Sequence, residues 1–215
     1  MKQIVVFDTG TGGRIFAEHF RKTLENVEVV EVIDATNAPY GNKTADEIAR
    51  LTREALRDYL GTDALIVLAC NTATAYAIDG LRASYPEQDF VGVEPAIKPA
   101  MKLTKNGKIV VLATPLTLKS TRYSELLDDA SDNLEIFTPN CAGWARKIDA
   151  GELSEQDVVN ALSPFRAENP DVIVIGCTHY LAIPESIFGR IFPGVSVYSP
   201  LESVAARVKA LLRQQ

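Results

Sequence analysis

ALIVLACNT, residues 64–72, and VIVIGCT, residues 172–178, share one pattern: an unbroken apolar run that ends on a cysteine, with a threonine one or two places beyond it. A run of this length with no polar alternation reads as a strand covered on both faces, as in a parallel sheet between helices. The two cysteines are 177 − 70 = 107 residues apart. Working outward, IVVFDT at 4–9 lines up with IVVLAT at 109–114 at an offset of 109 − 4 = 105, and VGVEP at 91–95 with VSVYSP at 195–200 at a similar spacing. Three matches in the same order indicate an internal repeat. VVEVI at 29–33 and LEIF at 134–137 supply further strands. Helical segments such as ADEIARLTREALRDYL at 45–60, TATAYAIDGLRASY at 72–85 and SEQDVVNALSPFRAE at 154–168 separate them. The reading is an α/β chain of two pseudo-symmetric lobes, each a mainly parallel sheet flanked by helices, with the active site in the cleft between them.

The lobe boundary is expected in EPAIKPAMKLTKNG, residues 94–107, where two prolines and an Asn-Gly turn interrupt the rhythm. A second crossing near 190–195 returns the last helix to the first lobe. The expected division is therefore 1–95 with 195–215, and 96–194.

A net charge of −6 and a pI of about 5.1 speak against nucleic-acid and membrane-surface partners, since neither phosphates nor anionic lipids attract an acidic surface that lacks a basic patch. No apolar run reaches the length of a membrane span, and MKQIVVFDTG leads directly into a strand, so the expected location is the cytoplasm. Three cysteines make no disulfide framework, and no Cys-x-x-Cys pair offers zinc spacing, so no metal is expected. Gly10-Thr11-Gly12-Gly13 fits neither the dinucleotide fingerprint nor the phosphate-binding loop.

In parallel α/β sheets, ligands gather at the carboxyl ends of strands, where helices present their amino termini. Asp8-Thr9-Gly10, Cys70-Asn71-Thr72, Thr114-Pro115 and Cys177-Thr178-His179 all fall there. A thiol at a helix amino terminus is stabilised as thiolate, which suits Cys70 to proton abstraction. Two symmetry-related thiols facing one cleft suit racemisation, in which one group removes an α-proton and the other delivers a proton to the opposite face. Asp8 is placed to assist Cys70, and His179 to assist Cys177; an Asx-turn or helix cap is the competing role for Asp8. Asn71, Thr72 and Thr178 are donors for a carboxylate or, equally, caps for the helices they begin. Cys141 has no repeated counterpart and is read as structural.

IVVFDTGTGG, PYGNK at 39–43, CNTATA at 70–75, ATPLTLKSTRY at 113–123 and GCTHY at 176–180 together resemble the glutamate racemase family, from the first strand to about residue 200. The resemblance implies a two-lobed enzyme that works without pyridoxal phosphate, metal or nucleotide and uses the two cysteines as proton carriers. It implies that Asp8, Thr9, Tyr40, Gly41, Asn71, Thr72, Thr117, Thr178 and His179 surround glutamate, and that the D-glutamate made serves peptidoglycan synthesis, and so cell-wall biogenesis and cell shape. His179 favours glutamate over aspartate by the same resemblance, and a homodimer is the assembly it allows. Thr9 stands where the family has serine and Leu181 where it has proline, and the chain is several tens of residues shorter than the family's usual length. A related racemase of aspartate, a hydantoin or another small α-carbonyl acid is the neighbouring alternative. A catalytically idle ligand-binding protein is the alternative of another class.

Overall fold

The computed structural model describes residues 1–128, 130 and 134–213, in two compact units, Met1–Glu94 with Pro200–Gln215 and Pro95–Ser199.

The first unit contains β1 (Lys2–Asp8), α1 (Thr11–Thr23), β2 (Val27–Ile33), α2 (Ala45–Leu56), β3 (Leu65–Leu68), α3 (Asn71–Ser84) and β4 (Phe90–Gly92). The second unit contains α4 (Ile97–Leu103), β5 (Lys108–Leu112), α5 (Pro115–Leu118), α6 (Thr121–Asp128), β6 (Glu135–Phe137), α7 (Trp144–Asp149), α8 (Glu155–Leu162), β7 (Val172–Ile175), α9 (Glu185–Ile191) and β8 (Ser196–Tyr198). The chain then returns to the first unit with α10 (Leu201–Leu212), which packs against α1 and β4.

Each unit holds a four-stranded sheet, in the orders β2-β1-β3-β4 and β6-β5-β7-β8. Every strand pairing is parallel. Substituting β5 to β8 for β1 to β4 turns the first order into the second. One backbone hydrogen bond repeats as well: Ala69 N–H donates to Phe7 O, and Gly176 N–H to Leu112 O, each at 2.8 Å. These residues correspond at the sequence offsets, 7 + 105 = 112 and 69 + 107 = 176.

The apolar runs form the inner strands because helices cover both their faces. Ile4 to Phe7 and Leu65 to Leu68 are wholly buried, as are Ile109 to Leu112 and, within 2%, Val172 to Ile175. Edge strand β2, VEVVEVI, is instead only partly covered and exposes Glu28 and Glu31. Charges on an edge strand discourage pairing with another chain.

Three local expectations are corrected. β8 pairs in register with β7, so residues 195–199 stand in the second unit and the return falls at Pro200 rather than at 195. The segment 94–107 also carries a helix, α4, despite Pro99. Pro99 is the third helical residue, in the first turn, where a missing N–H removes no intrahelical bond. The segment 154–168 is helical only to Leu162 and tightens to a 3₁₀ turn over Ser163–Glu168, where Pro164 intervenes.

Candidate active site

In the first unit, the carboxyl edge of the sheet collects Asp8, Thr9 and Cys70. Asp8 closes β1 and is fully buried. Helix α1 begins directly against it, and Gly13 makes this possible: a Cβ at that position would lie 2.6 Å from the Asp8 Cβ and 2.8 Å from the Ile33 Cδ1. Gly13 therefore serves a close approach of helix to strand. Thr9 follows, also buried.

Cys70 leaves β3 in extended conformation and is itself the cap of α3: the Ala73 N–H donates to its Sγ at 3.4 Å. Aligned peptide dipoles at this helix end favour negative charge on the sulfur. The Thr74 hydroxyl donates to Leu68 O at 3.1 Å and accepts from Val93 N–H at 3.2 Å, so α3 is stitched to both β3 and β4 behind the cysteine. Asn71 and Thr72, the first two residues of α3, are buried. Neither amide atom of Asn71 has a hydrogen-bond partner among the described residues, although the residue is only 4% exposed. A buried amide without partners costs roughly 1–3 kcal/mol, and such groups concentrate where a ligand completes the bonding.

Tyr40 and Gly41 lie in the 3₁₀ turn Tyr40–Asn42. The Tyr40 ring is buried beside Phe7, and its hydroxyl donates to Asp34 Oδ2 at 2.7 Å. Burial pushes the phenol up, and the Asp34 hydrogen bond and the charges of Asp34 and Cys70 push it further. The phenol therefore stays neutral. Asp34, which also accepts from the Asn37 side chain at 2.8 Å, escaped the sequence reading.

In the second unit, Thr114 caps α5, with Pro115 at its first position. Its hydroxyl lies 2.9 Å from that of Thr117, which is buried. The ends of β5 and β7 are adjacent, which puts this turn on the same sheet edge as Cys177. Cys177 precedes a 3₁₀ turn, Thr178–Ala182, in which Thr178, His179 and Tyr180 are all buried. His179 Nδ1 lies 4.0 Å from the Cys177 Sγ, and its Nε2 lies 3.1 Å from Asp149 Oδ2. Cys177, His179 and Asp149 thus form a line of thiol, imidazole and carboxylate, with the carboxylate fixing the ring's orientation. Asp149, the last residue of α7, also escaped the sequence reading because it is thirty positions away in sequence.

Cys141 is buried in the same apolar cluster as Cys177, and burial foremost pushes its thiol up to about 12. A thiol held neutral in a core agrees with the structural role read for it.

The repeat therefore holds in strand order and in the placement of the thiols, but not in the polar residues at the strand ends. At the sequence offsets Ala113 answers Asp8 (8 + 105 = 113), and Thr72 answers His179 (179 − 107 = 72). The buried carboxylate of Asp8 ends β1, the strand paired with the one that Cys70 follows, whereas the imidazole beside Cys177 comes from the turn after β7.

The family model described as Asp/Glu/Hydantoin racemase matches residues 14–208. The chain belongs to this family. Within it, the glutamate racemase of Clostridium novyi is 39% identical over 186 residues, which cover 84% of this chain and 72% of that protein. The glutamate racemase of Pseudomonas aeruginosa is 37% identical over 214 residues, covering 96% and 80%. Among solved structures, the Escherichia coli glutamate racemase in complex with L-glutamate and the activator UDP-MurNAc-ala superposes with a TM-score of 0.89 at 28% identity, covering all of this chain and 83% of that one. The two-lobed α/β architecture of this racemase family is thus the architecture of the chain.

Proposed function

We propose that the chain interconverts L- and D-glutamate using side chains alone, with Cys70 and Cys177 as the two proton carriers. The observation that carries the reading is the repeated placement of the thiols: each follows the third strand of an identically ordered sheet, at the carboxyl edge. One thiolate takes the α-proton and the other thiol returns a proton to the opposite face; the roles exchange in the reverse reaction. Asp8 assists Cys70, and His179, oriented by Asp149, assists Cys177. Asn71, with its unsatisfied amide, supports the binding of the substrate, together with Thr9, Tyr40, Gly41, Thr72, Thr117 and Thr178. Donors preorganised around the carboxylate stabilise the charge that develops at Cα. Glutamate is chosen over aspartate or a hydantoin because the curated relatives at 37–39% identity are glutamate racemases. The product fits peptidoglycan synthesis in the cytoplasm. Among the described residues no helix is long and apolar enough to cross a membrane.

The test is circular dichroism of L-glutamate, L-aspartate and a hydantoin incubated with the protein. Glutamate alone should lose optical activity, and Cys70→Ser and Cys177→Ser should each abolish that loss while the far-ultraviolet spectrum stays unchanged. Racemisation at the parent rate by either variant would exclude the two-thiol mechanism.

A further inference from the structure

Among the described residues, helices α2, α5 and α8 each open on a capping hydroxyl, and α5 departs from the other two. In α2 the Thr44 Oγ1 accepts from the Glu47 N–H at 3.3 Å, and the Glu47 carboxylate reaches back to accept from the Thr44 N–H at 3.1 Å. In α8 Ser154 and Asp157 make the same pair of bonds at 3.1 and 3.0 Å. In α5 that third helical position holds Thr117. Its N–H donates to the Thr114 Oγ1 at 3.2 Å, and the two hydroxyl oxygens lie 2.9 Å apart. Hydroxyl residues continue at the same spacing with Ser120 and Tyr123. The Ser120 hydroxyl donates to Thr117 O at 2.7 Å and accepts from the Tyr123 N–H at 3.1 Å. Thr117 is thus held at its N–H, its carbonyl and its hydroxyl, and it is buried, whereas Glu47 is exposed. A carboxylate in its place could close the cap as Glu47 and Asp157 do. It would also set a buried negative charge on the sheet edge to which the proposed function brings an amino acid with two carboxylates.

We propose that Thr114 is a positioning residue that aims the Thr117 hydroxyl at a substrate carboxylate, a role that rests on the reading of Thr117 as a substrate-binding residue. A hydroxyl has one proton to donate and two lone pairs to accept with. The Thr114 Oγ1 accepts from the Thr117 N–H and gives its proton to the Thr117 Oγ1. Thr117, accepting there, gives its own proton to a carboxylate oxygen of the substrate. Each bond in such a chain polarises the next, so a Thr117 that accepts from Thr114 is the stronger donor. Ser120 fixes the other end of the residue through its carbonyl. One cap thereby begins a helix and orients a neutral donor, where a carboxylate at position 117 would serve the helix alone.

The experiment is a double-mutant cycle on kcat/KM for glutamate. Turnover by the parent, measured first, tests the proposed function by itself. Thr117→Val should lower kcat/KM about tenfold or more, the usual weight of a hydrogen bond to a charged group. Thr114→Asn keeps the helix cap but carries no hydroxyl, so the melting temperature should stay at the parent value while kcat/KM falls about three- to tenfold. Thr114→Ser keeps both cap and hydroxyl and should keep the parent kcat/KM. In the Thr117→Val background Thr114→Asn should have no further effect, because the group it acts through is gone. If Thr114→Asn does not fold, the isosteric Thr114→Val takes its place in the cycle. A parental kcat/KM in the position-114 variant, or a loss that adds in full to that of Thr117→Val, would overturn the proposal. An unchanged kcat/KM in Thr117→Val, in a protein that racemises glutamate, would overturn the reading of Thr117 on which it rests.

Discussion

Asn71 begins α3 directly after Cys70, yet neither its amide oxygen nor its nitrogen finds a partner among the described residues. Folding therefore carries a desolvation cost there that the ligand-free protein does not recover. Asn71→Ala should leave the melting temperature level or raise it, by the equivalent of about 1 kcal/mol, while KM for glutamate rises about tenfold or more. A melting curve read beside substrate titrations checks this; a clear drop in stability would mean that the amide is bonded within the protein. Other residues are legible in sequence only as far as their partners are local. Cys70, Cys177 and His179 stand out because strand, thiol and imidazole are consecutive. Asp149 and Asp34 do not, because a carboxylate thirty positions from His179 and another six from Tyr40 have no motif of their own and are brought in by the fold.

At the scale of elements, the junction of β1 with α1 depends on the absence of one methyl group. Gly13→Ala would place a carbon 2.6 Å from the Asp8 Cβ, well inside contact distance, so helix or strand must shift. A loss of about 1–3 kcal/mol is expected, with reduced racemisation because Asp8 moves with the strand. Gly80, within α3, offers the contrast: a Cβ there meets nothing within 4 Å. Gly80→Ala should raise stability by about 0.5–1 kcal/mol through helix propensity and leave activity alone. Urea unfolding of both variants measures the difference, and equal effects would show that the close approach is not what constrains position 13. The inner strands are readable because strands in the middle of a parallel sheet are apolar on both faces. The limits of the units were less so. Nothing in VSVY distinguishes a last strand of the second unit from the start of a return, and only the pairing of β8 with β7 decides it.

At the scale of the molecule, one topology appears twice with unlike polar groups at the strand ends: Asp8 in the first unit, His179 with Asp149 in the second. Under the proposed function, Asp8→Asn and His179→Asn should therefore disturb the two directions differently. Enantiomers have equal free energy in water, so the equilibrium constant is unity and kcat/KM must stay the same for L- and D-glutamate in every variant. The asymmetry can show only as opposed changes in kcat and KM. Initial rates followed by circular dichroism from each enantiomer test this, and variants that slow both directions with identical kcat and KM would argue against separate helpers.

The first unit is interrupted in sequence, and both interruptions fall before a proline, at Glu94–Pro95 and Ser199–Pro200. The order of synthesis follows from this. The second unit is a single continuous stretch, whereas the first waits for Val204, Ala205, Val208 and Leu211 of α10 to cover its remaining apolar surface. During synthesis the lobe begun first is the lobe finished last: once the chain has emerged as far as Ser199 the second unit can be complete while the first still lacks its closing helix.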